Sequence, residues 1–223
     1  MYGIADSFDS VAERFEKFLT WKDHLPTYGQ KGVEIDSHNN VCGVLENTET
    51  GYTTYNWGAN LVGNDGDIYY AKKSAGESTT SPANENFLAG RAELRTGTVA
   101  SSDLTKDNTY GYKTGSTAGG LNTSSGAVTA SRKTLESNYP KTYDASANGS
   151  ENAGGVIDAV TYKYYWNTTA FSANGITGGA IHDNATPVDA TKLLTHWTFS
   201  ASFSKTLTDT LTLYVNHTMN GVP

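Results

Sequence analysis

The sequence predicts a mainly β protein: an antiparallel β-sandwich of the jelly-roll or Ig-like kind, with a short N-terminal amphipathic helix and long loops. Hydrophobic residues make up 37% of the 223 residues and charged residues only 17%, so Ser, Thr, Asn and Gly supply most of the polar remainder. The chain has 14 Tyr against 7 Phe and 4 Trp, as is typical of half-wet sheet faces. Short β-prone runs alternate with turn residues along much of the chain.

The first predicted element is a helix within residues 1–30, which also contain a linker. Ser10 and Glu13 form a capping-box pattern, and Pro26 ends the helix because proline has no backbone N–H to donate. A helix this short is marginal in water and must dock its apolar stripe. Docking on the chain's own β domain is the simpler interpretation, and docking on another subunit is the alternative. The possible interface residues are Phe8, Val11, Phe15, Phe18 and Leu19.

Residues 31–105 are predicted to be β-rich, with runs at 41–45, 52–57, 68–70 and 87–100. The tetrapeptide from Asn64 to Asp67 separates two of these runs and carries several oxygen ligands. It resembles part of a calcium loop but lacks the spacing and closing Glu of an EF-hand. A tight turn is therefore the preferred interpretation.

Residues 106–155 are rich in Gly, Ser, Thr, Asn and Ala, with few residues able to build a core. This composition predicts long loops or an arm held by neighbours, with residues 116–126 the least structured part. The stretch is also the only plausible domain boundary, which leaves one split domain or two small ones open.

Residues 156–223 have the strongest pattern and are predicted to form the C-terminal part of the sandwich. Asn174-Gly175 predicts a turn before a strand at 176–181, and both faces of 193–203 are partly apolar. In two further runs, apolar residues alternate with polar residues, which places the apolar residues on one face of a strand. The predicted buried positions there are Val156, Val160, Tyr162, Tyr164, Trp166, Leu211, Leu213 and Val215.

Charge and cysteine content indicate which classes of partner and which folding compartment are compatible with the sequence. A formal charge of -7 disfavours nucleic acid and anionic membrane surfaces, which attract clustered Lys and Arg. Cys42 is the single cysteine, so no intrachain disulfide is expected and folding in a reducing cytoplasm is compatible with the sequence. The N-terminus lacks the pattern of a secretory signal, and no run of about 18 apolar residues predicts a membrane helix.

The sequence predicts no catalytic, cofactor-binding or metal-binding residue. The five histidines have no zinc-like spacing and are expected at the surface or in turns. His182-Asp183 could imitate a general base with its carboxylate, but no nucleophile motif accompanies it, so a polar loop is preferred. Scattered carboxylates such as Asp36, Glu46 and Asp183 have no defined separation, which gives an enzyme little support.

The last third of the chain resembles tailed-bacteriophage virion proteins in its order of strands and turns. The segments that carry the resemblance are Ala173-Asn174-Gly175-Ile176, Lys192-Leu193-Leu194-Thr195, Phe203-Ser204-Lys205-Thr206 and Asp209-Thr210-Leu211-Thr212-Leu213-Tyr214-Val215. The resemblance implies a small β-sandwich used as a building block in heads, necks, tails and fibres. It transfers no functional residues.

These observations predict a non-enzymatic structural subunit of the virion, made in the host cytoplasm, that decorates the capsid or attaches at the neck or tail. Expected partners are copies of itself, forming a homo-oligomer, and other virion proteins such as the major capsid, neck or tail proteins; no cofactor is expected. The alternative is a receptor- or glycan-binding fibre protein. It is motivated by aromatic rings that could stack on sugars, although their period-2 placement favours core packing: Tyr162, Tyr164, Trp166 and Trp197.

Overall fold

The computed structural model describes residues 39–78, 86–88, 90–97, 106, 126–143, 159–186 and 191–218. Within these ranges the chain forms nine strands and one helix. In chain order they are β1 Asn39–Asn47, β2 Thr53–Val62, α1 Asn64–Ser74, β3 Arg91–Thr96, β4 Ala127–Lys133, β5 Lys141–Tyr143, β6 Ala159–Trp166, β7 Ala173–His182, β8 Leu193–Lys205 and β9 Asp209–Thr218. No helix in these ranges is long and apolar enough to cross a lipid bilayer.

The nine strands form one sheet in the order β4-β3-β7-β8-β2-β1-β9-β6-β5, and every neighbouring pair is antiparallel. The predicted mainly β, antiparallel class is confirmed. The two-layer sandwich is not: the described strands are hydrogen-bonded into one continuous sheet. Strands from residues 31–105 and 156–223 interleave in it, so the described parts of these two regions belong to one unit.

The sheet curls until β4, at one edge, reaches β6 near the other edge. The indole Nε1 of Trp166 on β6 donates a 2.7 Å hydrogen bond to the carbonyl oxygen of Ser131 on β4. The amide of Glu136, just after β4, donates to the carbonyl oxygen of Lys163 at 3.0 Å. The curl gives the sheet an inner face that encloses the core and an outer face.

The inner face is filled by large side chains at alternate strand positions. Seven of the eight positions predicted to be buried belong to this core, with Val160 only partly buried, and Val156 lies outside the described residues. Trp197 and Ile176 join them from β8 and β7. Alternation of apolar and polar residues serves a curled sheet as well as a sandwich, so the pattern predicts the buried face without distinguishing the two architectures.

The sheet has two distinct ends. At the turn end lie the β1–β2 turn, residues 48–52, and the β8–β9 turn, residues 206–208. The backbone amide of Thr48 donates to the carbonyl oxygen of Thr208 at 2.9 Å, which joins the two turns. At the opposite, helix end, α1 follows β2 directly, and Tyr69 of α1 packs edge-on against Phe87 with ring centroids 5.4 Å apart.

Helix α1 corrects the turn and strand predicted for residues 64–70. Asp65 and Asp67 lie in its first turn and Lys72 and Lys73 in its last, an arrangement that complements the helix dipole. The helix was not predicted because its first four residues are typical of a turn. The N-terminal helix predicted in residues 1–30, with its five interface residues, lies outside the described residues.

Two further local predictions differ from the structure. Asn174-Gly175 lies inside β7 rather than in a turn before it: Gly175 has φ +66 and the pairing with β8 shifts register there, as in a bulge. Strands β4 and β5 lie within residues 106–155, which were predicted to be loops or an arm. They pair with β3 and β6, so partner strands stabilise segments whose own composition is weakly β-forming.

Candidate functional site

The histidines on the strands correct the prediction that all five lie at the surface or in turns. His182, His196 and His217 are buried, whereas His24 and His38 fall outside the described residues. Each buried histidine occupies a strand position whose same-face neighbour two residues earlier is also buried. The prediction was wrong because it rested on the polarity of histidine, whereas strand register decides which face of the sheet a side chain points to.

His217 belongs to a buried cluster at the helix end. Its Nδ1 lies 2.5 Å from the hydroxyl of Tyr70, which lies 3.1 Å from the hydroxyl of Tyr162. Burial lowers the pKa of His217 to about 3, so the imidazole is neutral at physiological pH. Burial also raises the pKa of both tyrosines. The cluster is thus uncharged and internal, and it holds α1 against β6 and β9.

The carboxylate beside His182 is that of Glu93 and not that of its sequence neighbour Asp183. Nε2 of His182 lies 3.2 Å from Oε2 of Glu93, which also accepts a 2.9 Å hydrogen bond from Nε of Arg132. Burial raises the pKa of Asp183. His182 and Glu93 are completely buried, so the pair links β7, β3 and β4 rather than facing a substrate. No group of His, Cys, Asp and Glu suited to a metal ion occurs among the described residues.

The carboxylates considered for an enzyme do not converge. Glu46 pairs with Thr53 beside the β1–β2 turn, at the turn end. Asp183 follows His182, which pairs with Leu193 at the opposite end of the sheet. Asp36 lies outside the described residues.

A groove lies on the outer face of the sheet. We call it the outer groove; it has a volume of about 440 Å³ and runs over β1, β9 and β6. Register explains the grouping, because antiparallel partners on one face stand side by side. Its lining residues are Val44, Glu46, Thr48, Glu136, Lys163, Tyr165, Thr210, Thr212 and Tyr214.

Three rows of paired residues build the outer groove. Thr210 stands opposite Glu46 on β1, and Thr212 stands between Val44 on β1 and Tyr165 on β6. Tyr214 and Lys163 form the next row. Three hydrogen-bonded strands therefore form the floor of the groove, and Thr48 and Glu136 add to its lining from the β1–β2 turn and from the segment after β4.

Aromatic rings hold the one lysine of the groove in place. The Lys163 ammonium lies 5.3 Å from the ring centroid of Tyr214 and 5.6 Å from that of Tyr139, both within cation–π range. Tyr214 is buried beneath it, whereas Tyr165 leaves 38% of its surface exposed. The groove thus combines a positioned cation with an accessible ring.

A network of side-chain hydrogen bonds locks the turn end next to the groove. Nδ2 of Asn47 donates to Oδ1 of Asp209 at 2.9 Å and to Oγ1 of Thr208 at 3.1 Å. Oδ2 of Asp209 accepts from the amide and the hydroxyl of Thr206, both at 2.7 Å. Burial opposes the charge of Asp209, but the hydrogen bonds from Thr206 and Asn47 outweigh it and lower the pKa of the carboxyl.

Sequence reasoning missed the outer groove as a site. Glu46 was considered only as a scattered carboxylate, and Lys163 was not considered as a site residue. The alternating polar positions of β6 and β9 predict an outer face. Which outer faces lie side by side depends on pairings between distant segments. Comparison with protein-family models, with curated proteins and with solved structures gives no match.

Proposed function

We propose that the chain is a non-enzymatic structural subunit of a tailed-phage particle, decorating the capsid or attached at the neck or tail through protein–protein packing. The resemblance of residues 156–223 to virion proteins supplies the setting. The structural observation that supports packing is a pair of exposed apolar side chains at the turn end. Tyr52 is 70% exposed and Leu207 is 59% exposed.

These two side chains sit on neighbouring turns that are held rigid. The Thr48–Thr208 backbone bond and the Asn47–Asp209 bond tie the two turns together. A surface fixed in this way loses little conformational entropy when a partner covers it, and aromatic and aliphatic anchors contribute much of the binding free energy at interfaces. The turn end therefore suits contact with another copy of the chain or with another virion protein.

A jelly-roll or Ig-like sandwich is not required for this role. The turns of a curled sheet project from its end in the same manner as the turns of a sandwich. The filled inner face supplies the rigidity, because closely packed cores resist deformation.

The experiment is incorporation into particles. The double variant Tyr52→Ser, Leu207→Ser removes the apolar pair at the turn end, and we expect it to co-purify with particles far less than the natural chain. The matched control is Ile68→Ser, Leu88→Ser, which removes two side chains that are 43% and 42% exposed at the helix end. The proposal is wrong if the natural chain stays free in infected cells, or if both double variants are incorporated equally.

The alternative of a glycan-binding fibre protein loses its original motivation. Tyr162, Tyr164, Trp166 and Trp197 are all buried in the core, so none offers a ring face to a sugar. Core packing, the preferred interpretation of their spacing, is confirmed.

A further inference from the structure

We propose that the outer groove binds a neutral carbohydrate of one or two sugar rings. This site is distinct from the four buried aromatic residues and from the turn-end pair. Its volume of about 440 Å³ lies within the ~300–1,000 Å³ typical of small-molecule pockets. The residue types of the lining, their charge and their rigidity each favour this ligand class.

The polar groups of the groove match the hydroxyl groups of a sugar. Thr210 and Thr212 bring hydroxyls that both donate and accept, Glu46 and Glu136 bring acceptors, and Lys163 brings a donor. Sugar hydroxyls also donate and accept, so a ring can satisfy several of these groups at once. Thr48 donates its hydroxyl to the carbonyl oxygen of Thr208 at 2.8 Å, which leaves its oxygen as an acceptor.

An accessible ring stands beside these hydroxyls. Tyr165 pairs with Thr212 across β6 and β9, and 38% of its surface is exposed. The C–H face of a pyranose packs on an aromatic ring while its hydroxyls turn to polar neighbours, an arrangement that the apolar body and polar tip of tyrosine suit. Tyr214 cannot serve in this way because it is buried under Lys163.

Charge selects a neutral ligand over an anionic one. The lining contains two carboxylates, Glu46 and Glu136, and one ammonium, Lys163, so its formal charge is -2 + 1 = -1. The ammonium is also engaged with two tyrosine rings. A phosphate or a sugar acid would meet net repulsion here, whereas a neutral sugar would not.

The groove is pre-organised, so little binding energy is lost in forming it. Seven of its nine lining residues lie on three adjacent strands, and the Asn47–Asp209 network fixes the turns at one end. Rigid sites bind more tightly than sites that must first be ordered. None of the groups used here belongs to the turn-end apolar pair, so the binding test is independent of incorporation into particles.

The test is saturation-transfer NMR and calorimetry on the full chain with glucose, galactose, N-acetylglucosamine, lactose and maltose as probes. We expect at least one to bind. Thr212→Val removes a hydroxyl at nearly constant volume and Glu46→Gln removes a charged acceptor; each should weaken binding about ten-fold. Thr198→Val, a half-buried threonine on β8 away from the groove, is the matched control and should leave Kd unchanged.

Glucuronic acid and inorganic phosphate complete the set of probes. The proposal is overturned if none of the five neutral sugars binds, if either anion binds more tightly than all of them, or if the Thr212 and Glu46 variants bind as the natural chain does. Glu46 is exposed, so its substitution tests the site even if the Thr212 variant fails to fold.

Discussion

At the scale of single residues, the buried ammonium of Lys205 joins the β6–β7 loop to the β8–β9 turn at the turn end. Its Nζ donates to the carbonyl oxygens of Phe171 and Thr206 at 3.1 Å and of Thr168 at 3.4 Å. Burial lowers the pKa of Lys205, and the nearby Asp209 carboxylate opposes that shift. Three acceptors for three N–H groups make the burial of this charge tolerable.

We expect Lys205→Met to lower the free energy of unfolding by about 3 kcal/mol, because the buried carbonyls lose their donors. Urea unfolding followed by tryptophan fluorescence measures the change. Lys133→Met, at the partly exposed end of β4, is the control and should change stability by less than about 0.5 kcal/mol. Equal effects of the two substitutions would show that the carbonyl contacts contribute nothing.

His217 should make stability depend on pH. Its pKa is about 3 in the folded chain and about 6.5 when unfolded, so the unfolded state takes up the proton first. Its contribution is fully present above pH 6.5 and is lost as pH falls from 6.5 towards 3, by at most ~1.4 kcal/mol per pH unit. Urea unfolding at several pH values should show a steeper decline for the natural chain than for His217→Phe. Parallel declines would contradict the assignment.

At the scale of elements, β7 requires glycine at position 179, because the core leaves no space for a side chain there. A Cβ on Gly179 would lie 2.6 Å from the ring of Trp197 and would also meet the carbonyl oxygen of Glu93. Trp197 is at the centre of the core and has no space to move without displacing its neighbours.

Gly179→Ala should therefore cost about 1–3 kcal/mol of stability, the usual range for overpacking. Gly43→Ala on β1 is the matched control, because its Cβ would make an ordinary contact of 3.5 Å with Phe203. Thermal unfolding of the two variants gives the comparison. A Gly179 variant as stable as the Gly43 variant would mean that Trp197 shifts at little cost.

Local patterns predicted some elements well and others badly, for identifiable reasons. The buried faces of β6 and β9 were predictable because alternation over several residues reports one half-buried strand. Helix α1 was not, because Ile68, Tyr69 and Tyr70 are β-prone and the preceding residues are turn-like. What stabilises α1 is tertiary: Tyr69 packs on Phe87, and Tyr70 contacts His217.

At the scale of the whole molecule, the sheet order could not be inferred from local sequence. β1 lies between β2, which follows it, and β9, at the other end of the chain. Cys42 pairs with Trp57 on one side and Tyr214 on the other, so one strand joins neighbours of very different sequence separation. The outer groove is a product of the long-range pairing, and so it too lay beyond sequence reasoning.

The pairing of the strands and the closure of the curl predict which strands unfold locally first. The central strands β8, β2, β1 and β9 each pair on both sides, whereas β4 and β5 are edge strands. Hydrogen exchange should therefore be slowest in β1 and β9 and fastest in β4 and β5.

The bond from Trp166 to Ser131 ties β4 to β6, so Trp166→Phe should speed exchange of the β4 amides about five-fold or more, with a smaller effect on β1. Tyr165→Phe, which changes the outer face of the same strand, should leave β4 exchange unchanged. Uniform acceleration of all strands by Trp166→Phe would instead mean that the sheet opens as one cooperative unit and that its edges do not close it.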